Sequence, residues 1–313
     1  KGLGNTGDYK GVSWWGTDFT VSREMKGKRI KIFFSEGIRQ RAEVFVNRKL
    51  VGYELVHQTP FEIDVTDVVN YGSNNELAVR ITDPSGNFSW GDYTGDKWGD
   101  YLFPQSHGFG GILGAVELRS VSPLYVSDVF VKNKPSLKDI DVDIEIINEA
   151  SSKVLKGSVD VAIVEAWKSN APVTDPKTLF AKNLGKVTVK TGETIKLTFS
   201  ASVPKARLWE LRNSNLYNVV TTIKDSKGKV VDQHKQRFGF RFLSVEGYGK
   251  NATLNFNGKR TLLISSISWG YWPTNGMYPT RELARKHIES AFILGQNMLN
   301  FHRCQGNTQV LGR

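Results

Sequence analysis

The stretch from Arg237 to Arg303 decides the fold. It reads RFGFR at residues 237–241, NFNGKRTLL at 255–263, ISWGYWP at 267–273 and TRELARKHIESAFILGQNMLNFHR at 280–303. Asn257-Gly258 signals a hairpin, because both residue types accept the positive φ angles of a two-residue turn. LLISSISW, residues 262–269, is a run suited to a buried strand. From Thr280 to Leu294 the period becomes helical, with Leu283, Ala284, Ile288, Ala291 and Phe292 on one side. Thr280 can cap the helix, Glu282 sits in the first turn where the dipole favours a carboxylate, and Gly295 can end it. NMLNFH, residues 297–302, then reads as a second buried strand. Strand, helix, strand is one βα unit and the start of the next, the opening of a (β/α)₈ barrel. Because Arg313 follows so soon, the expectation for residues 244–313 is a barrel begun and not completed.

Upstream the period is two. In residues 1–122 the apolar positions alternate as Ala42, Val44 and Val46, then Phe61, Ile63 and Val65, then Leu77, Val79 and Ile81. Turn signals separate them, as at Tyr71-Gly72-Ser73-Asn74 and Asp83-Pro84-Ser85-Gly86. An antiparallel sandwich is expected. Residues 123–243 open with Ile140, Val142, Ile144 and Ile146 alternating with Asp141, Asp143 and Glu145. Those carboxylates suit a calcium ion in their chemistry, but strict alternation describes the solvent face of one strand. Further strands at 159–167, 185–192, 194–200 and 218–225 suit an immunoglobulin-like sandwich.

A chain of 313 residues exceeds one comfortable core and suggests two or three domains. The formal net charge of +11 raises the question of an anionic partner. The basic residues are scattered, however, with no run beyond KGKR at 26–29, and no nucleic-acid motif accompanies them. No nucleic-acid partner is expected; an acidic sugar and plain surface charge both stay open. Cys304 is the only cysteine, so no intramolecular disulfide forms. No cofactor or metal motif is present, no signal peptide is visible, and no apolar run is long enough to span a membrane, so no membrane partner is expected.

Several segments, taken in order, resemble glycoside hydrolase family 2, the group of β-galactosidases, β-glucuronidases and β-mannosidases. GDYKGVSWWGTDFTV at 7–21 is similar to the family's opening strand, RAEVFVNRKLVG at 41–52 to its first hairpin, and TPFEIDVTDVVNYGSNNELAVRITD at 59–83 to the strands that follow. SHGFGGILGAVEL at 106–118 resembles the closing strand of the sugar-binding domain, and LWELRNSNLYNVVTTI at 208–223 the Trp-to-Leu-Tyr segment of the middle domain. The resemblance implies a mainly β chain: a jelly-roll sugar-binding sandwich at 1–122, an immunoglobulin-like sandwich at 123–243 and the first strands of a barrel at 244–313. The family usually has Asn-Gly where this chain has Asn47-Arg48, so a different turn or a small strain cost is expected there. Ile264-Ser265 likewise stands where the family often has Arg-Gly.

What the resemblance implies for chemistry is a retaining β-glycosidase, in which one Glu serves as acid and base and another as nucleophile. Both belong to barrel strands four and seven, which this chain does not reach, so it is expected to carry no catalytic residue and to be inactive alone. Neither Glu282 and Glu289 on a helix nor Asp92, Asp96 and Asp100 in an aromatic-rich loop are fixed against one another by the sequence. Substrate contacts are implied at barrel strand two, where the family pattern resembles Asn-x-x-Arg-x-x-His. Asn297 matches, Asn300 stands where Arg is usual, and His302 and Arg303 straddle the His position. His302 is read as a hydrogen-bonding partner for a sugar hydroxyl or as a satisfied core histidine. Asp83 follows the strand LAVRIT, where the family has an acidic residue in its pocket, and is equally a turn initiator before Pro84. His107 and the glycines 108–111 are weaker candidates. Sugar rings stack on aromatic faces, which favours Trp269, beside Tyr271 and Trp272, over Trp98 in the loop that also carries Trp90, Tyr93, Tyr101 and Phe103. The expected partner is a carbohydrate, a β-glycoside, and the resemblance implies a periplasmic or secreted bacterial protein. The competing reading is a carbohydrate-binding or adhesion module whose sandwiches are themselves the functional units.

Overall fold

The computed structural model describes residues 11–39, 41–56, 59–83, 97–98, 101–102, 111–268 and 281–301. The chain divides into two compact units, Lys1–Ser120 with Ile264–Arg313, and Val121–Leu263.

In the first unit, strands β1 (Gly11–Thr20), β2 (Arg29–Phe34), β3 (Ile38–Arg39), β4 (Arg41–Val46), β5 (Lys49–Glu54), β6 (Phe61–Asp64), β7 (Asn74–Asp83), β8 (Lys97–Trp98), β9 (Tyr101–Leu102), β10 (Gly111–Ile112) and β11 (Val116–Val121) follow in order. One sheet runs β1-β7-β4-β5 and another β11-β2-β6, with β10-β3 and β8-β9 as short pairs. The inward residues are those the alternation marks: Ala42, Val44, Val46, Leu77, Val79 and Ile81 are all buried, against Ile30, Ile32 and Phe34 of β2. Phe61 stacks on Phe34 with ring centres 4.5 Å apart.

The β4–β5 hairpin closes on Asn47 and Arg48 at φ +50° and +67°, with Val46 paired to Lys49. Both central residues take the positive φ of a type I′ turn, so Arg48 occupies a conformation that costs an L-residue about 1–2 kcal/mol. Asn47 offsets that strain. Its side-chain amide donates to the Val68 carbonyl at 2.9 Å and to Asn75 Oδ1 at 2.8 Å, while its own Oδ1 accepts from the Glu76 amide at 3.0 Å. Asn75, 1% exposed, returns bonds to the backbone of Asn70.

The second unit contains β12 (Leu124–Asn133), β13 (Asp139–Asn148), β14 (Leu155–Lys168), β15 (Ala171–Pro172), β16 (Thr178–Val189), β17 (Thr194–Ser202), β18 (Leu216–Lys224), β19 (Val230–Phe238), β20 (Leu243–Glu246), β21 (Thr253–Phe256) and β22 (Lys259–Arg260). Sheet β12-β13-β17 faces a sheet in which β14 pairs with β16, β15 and β18, and β18 with β19. Ile140, Val142, Ile144 and Ile146 of β13 are completely buried in the core between them. Val126 of β12 donates its amide to the Asp232 carboxyl of β19 at 2.9 Å, tying the two sheets together, and burial pushes the Asp232 pKa up.

On the outer side of β13 the carboxylates meet lysines. Asp143 accepts from Lys132 at 2.9 Å and Lys196 at 2.7 Å, and Asp141 pairs with Lys134 at 2.7 Å. Cross-strand ion pairs of this kind answer the solvent-face reading of the alternation, since Asp141 and Asp143 are already matched to cations. Hydrogen bonds from Lys196 and Lys132 lower the Asp143 pKa to about 2. The hairpin β21–β22 turns on Asn257 and Gly258 at φ +51° and +74°. Asn257 repeats the device of Asn47: its Oδ1 accepts from the Phe242 amide and its amide donates to the Trp209 carbonyl.

The end of the chain forms β23 (Ile267–Ser268), the helix α1 (Arg281–Ile293) and β24 (Asn300–Phe301), with β23 and β24 parallel. Gly295 at φ +78° closes α1 as expected. The Gln296 amide donates to Ala291 O and the Gly295 amide to Phe292 O, the paired bonds of a Schellman motif. The two expected buried strands are corrected. Among the described residues only Ile267–Ser268 and Asn300–Phe301 pair, and Leu262, Ile264 and Ile267 are exposed. Phe292, expected on the buried side of α1, is 45% exposed, and among the described side chains of the helix only Ala284 and Ala291 are buried. The reason is physical: a parallel pair is shielded only when layers cover both faces, and the exposure of Leu262, Ile264 and Ile267 shows that these side chains are not covered.

Replacing Arg48 by Gly should raise unfolding stability by about 0.5 kcal/mol, the relieved backbone strain less the entropy glycine adds to the unfolded chain. Asn75→Ala should lower it by about 1–3 kcal/mol through the stranded amides. Denaturant titration distinguishes the two; destabilisation by Arg48→Gly would refute the strain assignment. Asp143 titrates at about 2 in the fold against roughly 3.9 in an unfolded chain. Its pairing therefore stabilises the protein above about pH 4, and that contribution disappears as pH falls through 2. Asp143→Asn should flatten stability between those pH values; an unchanged acid limb would contradict it.

Candidate functional site

The parallel pair sets the geometry of the expected sugar site. In its register Ile267 lies beside Asn300 and Ser268 beside Phe301. Active sites of βα barrels form at the carboxyl ends of their strands, which here are Ser268 and Phe301. The approach to β24 is fixed by Asn297, whose side-chain Oδ1 accepts from the Ile264 amide at 2.8 Å while its backbone amide donates to the Ile264 carbonyl at 2.9 Å. Ser266 Oγ donates to Gln296 Oε1 at 3.1 Å, a second link between the two segments. Asn297 thus has a structural task that the motif alone did not reveal: it fastens the start of one strand to the start of the other.

Of the expected sugar-contacting residues, Asn300 lies in β24 and is exposed. Asp83 is the last residue of β7 and pairs with Gly11 of β1. Among the described residues no strand pairing joins β7 to β24. Trp269, His302 and Arg303 lie outside the described residues, as do His107, Tyr271 and Trp272. Trp98 and Tyr101 pair through their backbones in β8–β9.

The carboxylates of α1 are occupied. Glu282 pairs with Lys286 at 3.1 Å and Glu289 with Arg285 at 3.4 Å, each one helical turn apart. The Lys286 hydrogen bond holds Glu282 below its ordinary pKa, which makes it a poor general acid. His287, on the same helix, is held down by burial and is neutral at pH 7. Among the described residues no group of three or more His, Cys, Asp or Glu is arranged to hold a metal ion. No helix is long and apolar enough to cross a membrane.

Two sandwiches followed by a parallel strand–helix–strand define a modular, mainly β chain with a βα appendage. Residues 4–120 match "Glycosyl hydrolases family 2, sugar binding domain", and residues 124–241 match "Glycosyl hydrolases family 2". The chain belongs to glycosyl hydrolases family 2. It is 26% identical over 279 residues to a protein of Formosa agariphila described as a beta-glucuronidase, covering 87% of this chain and 27% of that protein. It is 27% identical over 255 residues to a beta-galactosidase of Thermoanaerobacter pseudethanolicus, covering 78% of this chain and 30% of the other. The chain therefore spans less than a third of either relative. The crystal structure of a family 2 member from Bacteroides cellulosilyticus superposes with a TM-score of 0.77 at 23% identity, over 97% of this chain and 38% of that one. A Bacteroides uniformis beta-glucuronidase gives 0.77 at 21%, over 98% and 35%. These two likenesses establish the shared fold.

Asn297→Ala should release the Ile264 amide. Hydrogen exchange at that position is expected to quicken about five- to ten-fold, the equivalent of one lost hydrogen bond of roughly 1 kcal/mol. Unchanged exchange would show that the side chain does not fasten the strand.

Proposed function

We propose that this chain is the N-terminal, non-catalytic part of a retaining family 2 glycosidase that removes a terminal β-linked sugar. The observation that carries the reading is the order of parts: the sugar-binding domain, then the second family domain, then a parallel β23–α1–β24 unit of the kind that opens a barrel. The named relatives, a beta-glucuronidase and a beta-galactosidase, support the reaction class.

In this reading the reaction needs two carboxyl groups about 5 Å apart, one protonating the leaving oxygen and the other forming the covalent glycosyl intermediate. Both would be supplied by residues following Arg313. The chain's own contribution is a wall of the sugar pocket. Trp269 would stack on a sugar face, Asn300, His302 and Arg303 would bond hydroxyls from the second barrel strand, and Asp83 would reach in from the first domain. Residues 244–313 would serve as the start of the barrel.

The exposed apolar side chains of the appendage support this over a free-standing binding module. Ile293 and Leu294 are each more than 70% exposed, and adjacent large apolar side chains left open on a protein surface mark a face that packs against something else.

The reading is tested by hydrolysis of a panel of chromogenic β-glycosides, using this chain and the same protein carried to its natural C-terminus. Cleavage by the longer protein alone is expected, and its preferred sugar identifies the substrate. Cleavage by residues 1–313 alone, or by neither protein, would overturn it.

A further inference from the structure

The outer face of the sheet β1-β7-β4-β5 carries a transverse row of four side chains in register. Trp14 of β1 is paired with Arg80 of β7, Arg80 with Glu43 of β4, and Glu43 with Tyr53 of β5. Directly paired residues of antiparallel strands project to the same side. Their neighbours Val79 and Val44 are buried, so this row points away from the core. Its two ends are bare aromatic rings: Trp14 is 61% exposed and Tyr53 is 68%. Between them Arg80 and Glu43 close a 2.6 Å ion pair that is itself partly open to solvent.

We propose that this row is a binding site for a neutral β-linked oligosaccharide, independent of whether the parent protein is a hydrolase. Three strand spacings separate Trp14 from Tyr53, roughly 14 Å, a span that suits about three pyranose rings. The apolar faces of the terminal sugars would stack on the two rings. The middle sugar would meet a guanidinium and a carboxylate already locked together. That pair carries no net charge but offers both donors and acceptors, which matches hydroxyl groups that both donate and accept. Trp14 is also preorganised. Its ring packs against Phe45 at 5.6 Å, and the small residues Gly16 and Ala78, paired one row along, leave room for that contact.

A second copy of this chain is a poorer occupant. The row is four side chains long, where a stable protein interface uses about 800 Å² and roughly 20–30 residues from each partner. The fixed, neutral ion pair also gives no charged patch to steer a macromolecule.

The test is calorimetric titration of the intact chain with neutral β-linked trisaccharides of differing linkage, at concentrations up to about 10 mM, with α-linked isomers as controls. Binding of at least one β-linked probe is expected, weakened about ten-fold by Trp14→Ala and again by Tyr53→Ala, since each removes a stacking face. Trp14→Phe should restore most of the loss, and all variants should keep the parent melting temperature within a few degrees. No binding by any probe, or binding that Trp14→Ala and Tyr53→Ala leave unchanged, would overturn the proposal. So would a dimer in sedimentation that the two substitutions dissociate, which would make a second copy the occupant.

Discussion

A strand can hide one of its faces by alternation, but the hidden face needs another layer to lie against, and every part of this molecule follows from that requirement. In the first unit the layer is the β11-β2-β6 sheet, which sets Ile30, Ile32 and Phe34 against Val44, Val79 and Ile81. In the second, β13 supplies four completely buried residues to a core closed by β14 and β18. Each fully buried aliphatic side chain contributes about 1.5–3 kcal/mol against the entropy of ordering the chain. The βα appendage shows the same requirement unmet. Its strands are parallel, parallel strands need cover on both faces, and its apolar residues at 262, 264, 267 and 292 stand exposed.

Polar groups decide the details that burial leaves free. Asn47 and Asn257 each lead a type I′ turn, and each spends its side chain on nearby backbone rather than on solvent. That is why Arg48 is tolerated at φ +67°: the register is held by the asparagine before it and by the paired strands. Asp232 acts at longer range, giving up some ease of ionisation through burial to accept the Val126 amide across the sandwich.

The sandwiches were legible in the sequence because period two is a local signal, and Ile140 to Ile146 or Ala42 to Val46 carry it without help from distant residues. The appendage was legible in order and type but not in extent. Leu262 to Ile264 look like a buried strand because they are apolar, yet apolarity states a need for cover and not its presence. The site was the least legible part. Sequence spacing marked Asn297 only as a match to a family pattern, while its hydrogen bonds to Ile264 give it a structural role. Trp14 was visible only as part of an opening strand. Its alignment with Arg80, Glu43 and Tyr53 depends on pairing between residues up to 66 positions apart in the order β1, β7, β4, which no local pattern encodes.

The central claim is that these two sandwiches and the βα appendage serve a catalytic centre whose carboxylates follow Arg313. The most direct measurement is covalent trapping: the protein carried to its natural C-terminus is treated with a mechanism-based glycosidase inactivator, digested, and the labelled residue identified by mass spectrometry. A labelled glutamate beyond residue 313 is the predicted result. A label on any residue between Lys1 and Arg313 would contradict the claim.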